Sequence, residues 1–172
     1  FYWTLAIAGL TYNLGAWVDK FIFWYHPATG HVVIGKLHAS IVYDMPIFLA
    51  YMSILPGMAI FFYRLESEFA ESYDLYYDAV RSGGTLLTIR RYRNDMVEVI
   101  RHAIHEILMM QGIIDIILFL TAPTMFEILH IPQLYLGLLY ILTIGALLQI
   151  AFMSVLAILY YLDRKHVALW LC

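Results

Sequence analysis

The chain has 172 residues, 63% of them hydrophobic and 13% charged, with a mean hydropathy of +0.76. Soluble domains are about half apolar and roughly a quarter charged, so a water-facing globule of this size would lack the charges to cover itself; lipid removes the conflict. A net charge of −3 with histidine neutral and a single cysteine, Cys172, exclude a basic nucleic-acid binder and a disulfide-stapled secreted domain, and the apolar content excludes a disordered chain.

A membrane-spanning helix needs about 20 mostly apolar residues, and four stretches qualify. Phe1 to Val18 is uncharged and is followed by Phe21, Phe23, Trp24 and Tyr25, an interfacial aromatic belt, which predicts a span over 1–24. A short link with Pro27, Gly30 and Gly35 leads to a second span, 41–63, which is uncharged from Met45 onward and contains Pro46, Pro56 and Gly57. The long link after it holds most of the charge. Within it Leu65, Phe69, Tyr73, Tyr76 and Val80 form one apolar helical stripe, with Glu66, Glu68, Glu71, Asp74 and Asp78 on other faces. Ser82-Gly83-Gly84 breaks that helix. A second stripe, Ile89, Tyr92, Met96, Ile100 and Ala103, runs without a breaker into a third span, 104–126, whose one acid beyond Ile107 is Asp115. A short loop is expected from Pro123 to Pro132. The fourth span, 134–162, is uncharged to Leu162 and long enough to cross with tilt.

The expected fold class is therefore all-α: a polytopic transmembrane helical bundle with a cytoplasmic amphipathic helical hairpin over 64–103. Phe1 lies inside an apolar run and residues 167–172 open another, so the chain reads as a fragment of one membrane transporter domain, cut at both ends, with a further span starting at 167–172. Of the ten Lys and Arg residues, all but Lys20 and Lys36 fall in the 64–106 link or directly after span four. Alternating spans put those eight on one side, which is predicted to be cytoplasmic.

Few residues carry chemistry. Asp115 lies at mid-span with Gln111 one turn before it; an ionisable group at membrane depth marks a substrate or proton site, or else a buried carboxyl used for packing. Asp19, Lys20 and Asp44 gather at the outer ends of spans one and two, where Lys20 pairing with Asp19 or Asp44 would lower the cost of charge near lipid. They form either part of a polar cavity or an interfacial pair that sets helix depth. Asn13 is a cavity-lining group or an interhelical hydrogen-bond partner. Pro46, Pro56 and Gly57 make a hinge or a static kink. Asn13, Asp19, Lys20, Asp44, Gln111 and Asp115 are the candidate substrate path. His26, His31, His38, His102 and His105 match no zinc-protease order, and no metal ligand set, cofactor motif or catalytic motif is present.

Three stretches carry a family likeness: Tyr12-Asn-Leu-Gly-Ala-Trp-Val-Asp-Lys-Phe-Ile-Phe-Trp24, Tyr43-Asp-Met-Pro-Ile-Phe-Leu-Ala50 and Ile54-Leu-Pro-Gly-Met-Ala59. Glu68-Phe-Ala-Glu-Ser-Tyr-Asp74, Tyr77-Asp-Ala-Val-Arg81 and Tyr160-Tyr-Leu-Asp-Arg164 add to it. Together they resemble the Pel exopolysaccharide transporter family, PelG, similar to the MATE/MOP-like polysaccharide flippase superfamily, over essentially the whole chain. The resemblance implies a multi-pass protein of the bacterial inner membrane, with about twelve spans when complete. It implies export of Pel polysaccharide, an amino-sugar biofilm polymer, together with other membrane subunits and the cytoplasmic glycosyltransferase of the Pel synthase complex. A lipid-linked oligosaccharide flippase and a non-conducting scaffold that docks the synthase are the alternatives. The resemblance supplies no ligand residues. A positively charged amino-sugar polymer would be attracted by Asp19, Asp44 and Asp115, and Trp17, Trp24 and Tyr43 are candidates to stack on sugar rings or to form the interfacial belt.

Overall fold

The computed structural model describes residues 3–172, so Phe1 and Tyr2, where the expected 1–24 span begins, lie outside the described residues. It is 84% helical. The order is α1 (Trp3–Tyr25), β1 (His31–Ile34), β2 (Leu37–Ala39), α2 (Ile41–Tyr63), a π-helical turn (Arg64–Phe69), α3 (Ala70–Arg81), α4 (Leu86–Ile128), a 3-10 turn (Gln133–Tyr135), α5 (Leu136–Tyr161) and α6 (Lys165–Leu171). Among the described residues, three helical stretches are long and apolar enough to cross a membrane: Ile41–Arg81, Leu86–Ile128 and Gln133–Tyr161. At 23 residues, α1 has the length but is not among them; Asn13, Asp19 and Lys20 dilute its apolar content.

The surface explains why lipid is the solvent. Along α5, Leu139, Thr143, Ala146, Ile150 and Ser154 are buried at helical spacing. The opposite face carries Ile141 at 69% and Leu148 at 61% exposure, and Leu120 of α4 is 77% exposed. In water such a run of bare aliphatic side chains would favour aggregation; in hydrocarbon it carries no penalty.

The link between α1 and α2 is not irregular. It holds an antiparallel hairpin, with His31 opposite Ala39, Val32 opposite His38 and Ile34 opposite Leu37, and this corrects the all-α expectation locally. Val32, Val33 and Ile34 are β-branched and suit a strand, and Gly35 takes φ 60 at the first of the two turn positions, where tight hairpins use glycine. Gly30 is required for another reason: a Cβ there would lie 1.9 Å from the Trp24 carbonyl oxygen.

Pro46 and Pro56 do not end α2, which is helical from Ile41 to Tyr63. Nor does Pro123 open a loop: α4 runs through it to Ile128, so the loop expected from Pro123 is shorter and starts after the helix. Proline at 123 frees the carbonyl one turn back, and the Tyr140 hydroxyl donates to that Phe119 oxygen at a long 3.5 Å. Gln133 Nε2 donates to the Pro123 carbonyl at 3.1 Å. The Tyr140 hydroxyl thus replaces part of what the ring removes, as membrane helices require.

The break after α3 falls where the glycines predict it. Gly83 has φ 71, the Gly84 N–H donates to the Ala79 carbonyl at 2.9 Å, and a Cβ on Gly84 would lie 2.9 Å from that oxygen. On α3 the inward residue near the end is Ala79 rather than Val80. The π-helical turn before it has a wider repeat than an α-helix and shifts the phase of the stripe. Two compact units result: Phe1–Met52 with Phe119–Cys172, and Ser53–Leu118.

Candidate functional site

In the unit formed by Phe1–Met52 and Phe119–Cys172, the charged end of α1 meets the start of α2. The Tyr43 hydroxyl donates to Asp19 Oδ2, and the Phe23 and Tyr43 rings stack with centroids 4.3 Å apart. Lys20 Nζ stands 3.8 Å from Asp19 Oδ1, donates to the Ala16 carbonyl at 2.8 Å and to the Tyr51 hydroxyl at 3.3 Å, and lies over the Trp17 and Tyr51 rings. Of the two expected pairs, the structure therefore holds Lys20 with Asp19. Asp44 has other partners: it accepts the Trp24 indole N–H at 2.8 Å and reaches back to the Ser40 N–H at 2.9 Å. That second bond ties the first turn of α2, in the manner of a capping box.

Asp19 also lines a pocket of about 410 Å³, with Thr11 and Tyr12 of α1, Tyr51 of α2, and Gln149 and Phe152 of α5. The Tyr12 and Phe152 rings stack across it at 6.1 Å. A carboxylate, two hydroxyl-bearing rings, a threonine and an amide around flat aromatic faces form a polar, stackable lining within an apolar bundle. Asn13 is not part of it. Its side chain is exposed and donates to the Gly9 carbonyl of its own helix at 2.7 Å.

In the unit Ser53–Leu118, Gln111 and Asp115 lie on the inward stripe that Met96, Ile100, Ala103 and Ile107 begin. Gln111 Nε2 donates to Asp115 Oδ1 at 2.7 Å and reaches the Ser53 carbonyl at 3.2 Å. At the end of α2, Arg64 bonds Glu68 one turn on and Glu106 of α4, with Nε to Oε2 at 2.5 Å. Sequence reasoning missed Ser53, Tyr51 and the Arg64 clamp. Only the four-residue spacing of Arg64 and Glu68 was a visible signal. Among the described residues, no group of three His, Cys, Asp or Glu side chains is arranged to hold a metal ion.

The whole chain, residues 1–172, matches the family model described as "PelG: Putative exopolysaccharide Exporter (EPS-E)". The chain belongs to the PelG family. No curated protein and no solved structure matches it. The family's description is that of an exporter, and it is not a known enzyme family. That assignment, with three helices of spanning length, makes the chain a membrane protein with a role in exopolysaccharide export.

Proposed function

We propose that the chain is part of a bacterial inner-membrane exporter of Pel polysaccharide and that the Asp19 pocket lies on the polymer's path. The observation that carries this is the lining itself. Asp19 is charge-balanced by a lysine ammonium only 3.8 Å away, so a cationic amino sugar can compete for the same carboxylate. The rings of Tyr12, Tyr51 and Phe152 offer faces for a sugar, and Gln149 and Thr11 offer hydrogen bonds to its hydroxyls. In this reading α1 is a fourth span, held in lipid because Asp19 and Lys20 face protein partners. The segment 64–103 is a cytoplasmic hairpin that docks the glycosyltransferase, its arginines kept on that side by the positive-inside rule. Pro46, Pro56 and Gly57 put weak points in α2, where a gate can bend.

The test is Asp19→Asn in the full-length protein, with secreted polymer and co-purification of the other subunits measured together. The expected result is reduced polymer with assembly intact. Unchanged secretion removes Asp19 from the path, and loss of assembly moves its role to docking. Accumulation of a lipid-linked intermediate on deletion of the protein favours a flippase instead.

A further inference from the structure

The Ser53–Gln111–Asp115 cluster holds two atoms that a sugar path does not explain. Gln111 is fully buried and Asp115 is 5% exposed, and their helix is long and apolar enough to cross a membrane. Three oxygens converge on Gln111 Nε2: Asp115 Oδ1 at 2.7 Å, the Ser53 carbonyl at 3.2 Å and Ser53 Oγ at 3.4 Å. Asp115 Oδ2 and Gln111 Oε1 are left buried with no hydrogen-bond partner. Gln111 of the same helix bonds the carboxyl, and Ser53 of α2 meets the same amide nitrogen; both are neutral. Among the described residues, no ion pair involves Asp115.

This deficit has a definite chemistry. Both orphan atoms are acceptors when the acid is ionised, and an unbonded buried carboxylate oxygen is expensive. One added proton turns Asp115 Oδ2 into a donor and leaves Gln111 Oε1 as an acceptor for it. A carboxylic acid and a primary amide complement each other through two hydrogen bonds, and the first of the two, amide N–H to acid oxygen, is already made. A metal ion suits the cluster less well, because the amide hydrogens of Gln111 already point at the oxygens that would ligate it.

We propose that Asp115 is a proton-carrying group, taking one proton from water and returning it during the export cycle. Uptake breaks one O–H bond of hydronium as the Asp115 O–H bond forms, leaves a water molecule, and takes the cluster from −1 to neutral; release reverses each change. The neutral acid lets α4 stay packed on the Ser53 turn of α2. The ionised form favours water entry or separation of the two helices at that turn. The place in the cycle rests on the export reading above; the protonation does not.

The full-length protein in lipid nanodiscs is examined by infrared difference spectroscopy between acidic and alkaline buffer. A carboxylic-acid C=O band present at neutral pH should bleach as the pH rises, vanish in Asp115→Asn and shift in Gln111→Leu. A wild-type spectrum identical to that of Asp115→Asn overturns the proposal. So does a change produced by sodium at constant pH that Asp115→Asn lacks, which would assign a metal cation. In cells, Asp115→Asn should lose secretion with the protein still inserted, while Asp115→Glu retains it. A titrating band with full secretion in Asp115→Asn overturns the coupling. Failure of the wild-type protein to move polymer at all overturns the export reading and leaves the infrared result standing.

Discussion

At the edge of an apolar bundle Asp19 accepts from two donors, the Tyr43 hydroxyl and the Lys20 backbone N–H, and the Lys20 ammonium stands 3.8 Å from it. A hydrogen bond to a charged group contributes about 1.5–3 kcal/mol, so Tyr43→Phe should lower stability in detergent by an amount of that order, while Phe23 stacking persists. Thermal unfolding followed by tryptophan fluorescence measures it, and an unchanged midpoint would show that the hydroxyl is not a significant donor. Asp44 does a different job from the neighbouring acid. Removing its carboxylate in Asp44→Ala frees the Trp24 indole N–H and unties the Ser40 N–H. Loss of a capping interaction costs about 1 kcal/mol, and a change in Trp24 emission should accompany it.

At the scale of elements, helix ends and helix joints decide the architecture. Arg64 joins the end of α2 to α4 through Glu106. Both side chains are partly exposed, so the pair is worth no more than about 0.5–1 kcal/mol. A double-mutant cycle of Arg64→Gln and Glu106→Gln should return a coupling of that size; a zero coupling would mean that the clamp is solvated. Gly30 is far less tolerant. With a Cβ placed 1.9 Å from the Trp24 carbonyl, Gly30→Ala must move the turn that leads into the hairpin, at a cost of roughly 1–3 kcal/mol. Hydrogen exchange at His31–Ala39 should rise in that variant while exchange in α5 does not. In α4, the Tyr140 hydroxyl compensates for Pro123, so Pro123→Ala should be tolerated in the wild-type background and should remove the effect of Tyr140→Phe.

For the molecule in its membrane, the testable quantity is sidedness. If Ile41–Arg81 and Leu86–Ile128 both cross the bilayer, the Ser82–Thr85 turn between them lies on one face. The arginine excess predicts the cytoplasmic one. Single cysteines at Ser82 and Thr88, in a Cys172→Ser background, should react with a membrane-impermeant maleimide only after the cells are opened. Labelling in intact cells would reverse the topology and remove the hairpin from the reach of a cytoplasmic synthase.

Much was legible in the residue order. Apolar runs of spanning length, the Ser82-Gly83-Gly84 break and the continuous inward stripe from Ile89 to Asp115 depend on local periodicity and turn chemistry, which a chain carries by itself. Asp115 and Gln111 could be marked for the same reason, since they share one helix face. The hairpin at 31–39 was missed because its strands are short and lack a clear alternation. The assignment of Asp44 to Trp24 rather than Lys20, the exclusion of Asn13 from the pocket and the meeting of Ser53 with Gln111 were settled only in three dimensions. Each depends on which face one helix turns toward another. In an almost uniformly apolar chain, hydropathy scarcely distinguishes those faces, whereas packing and the pairing of buried polar atoms do.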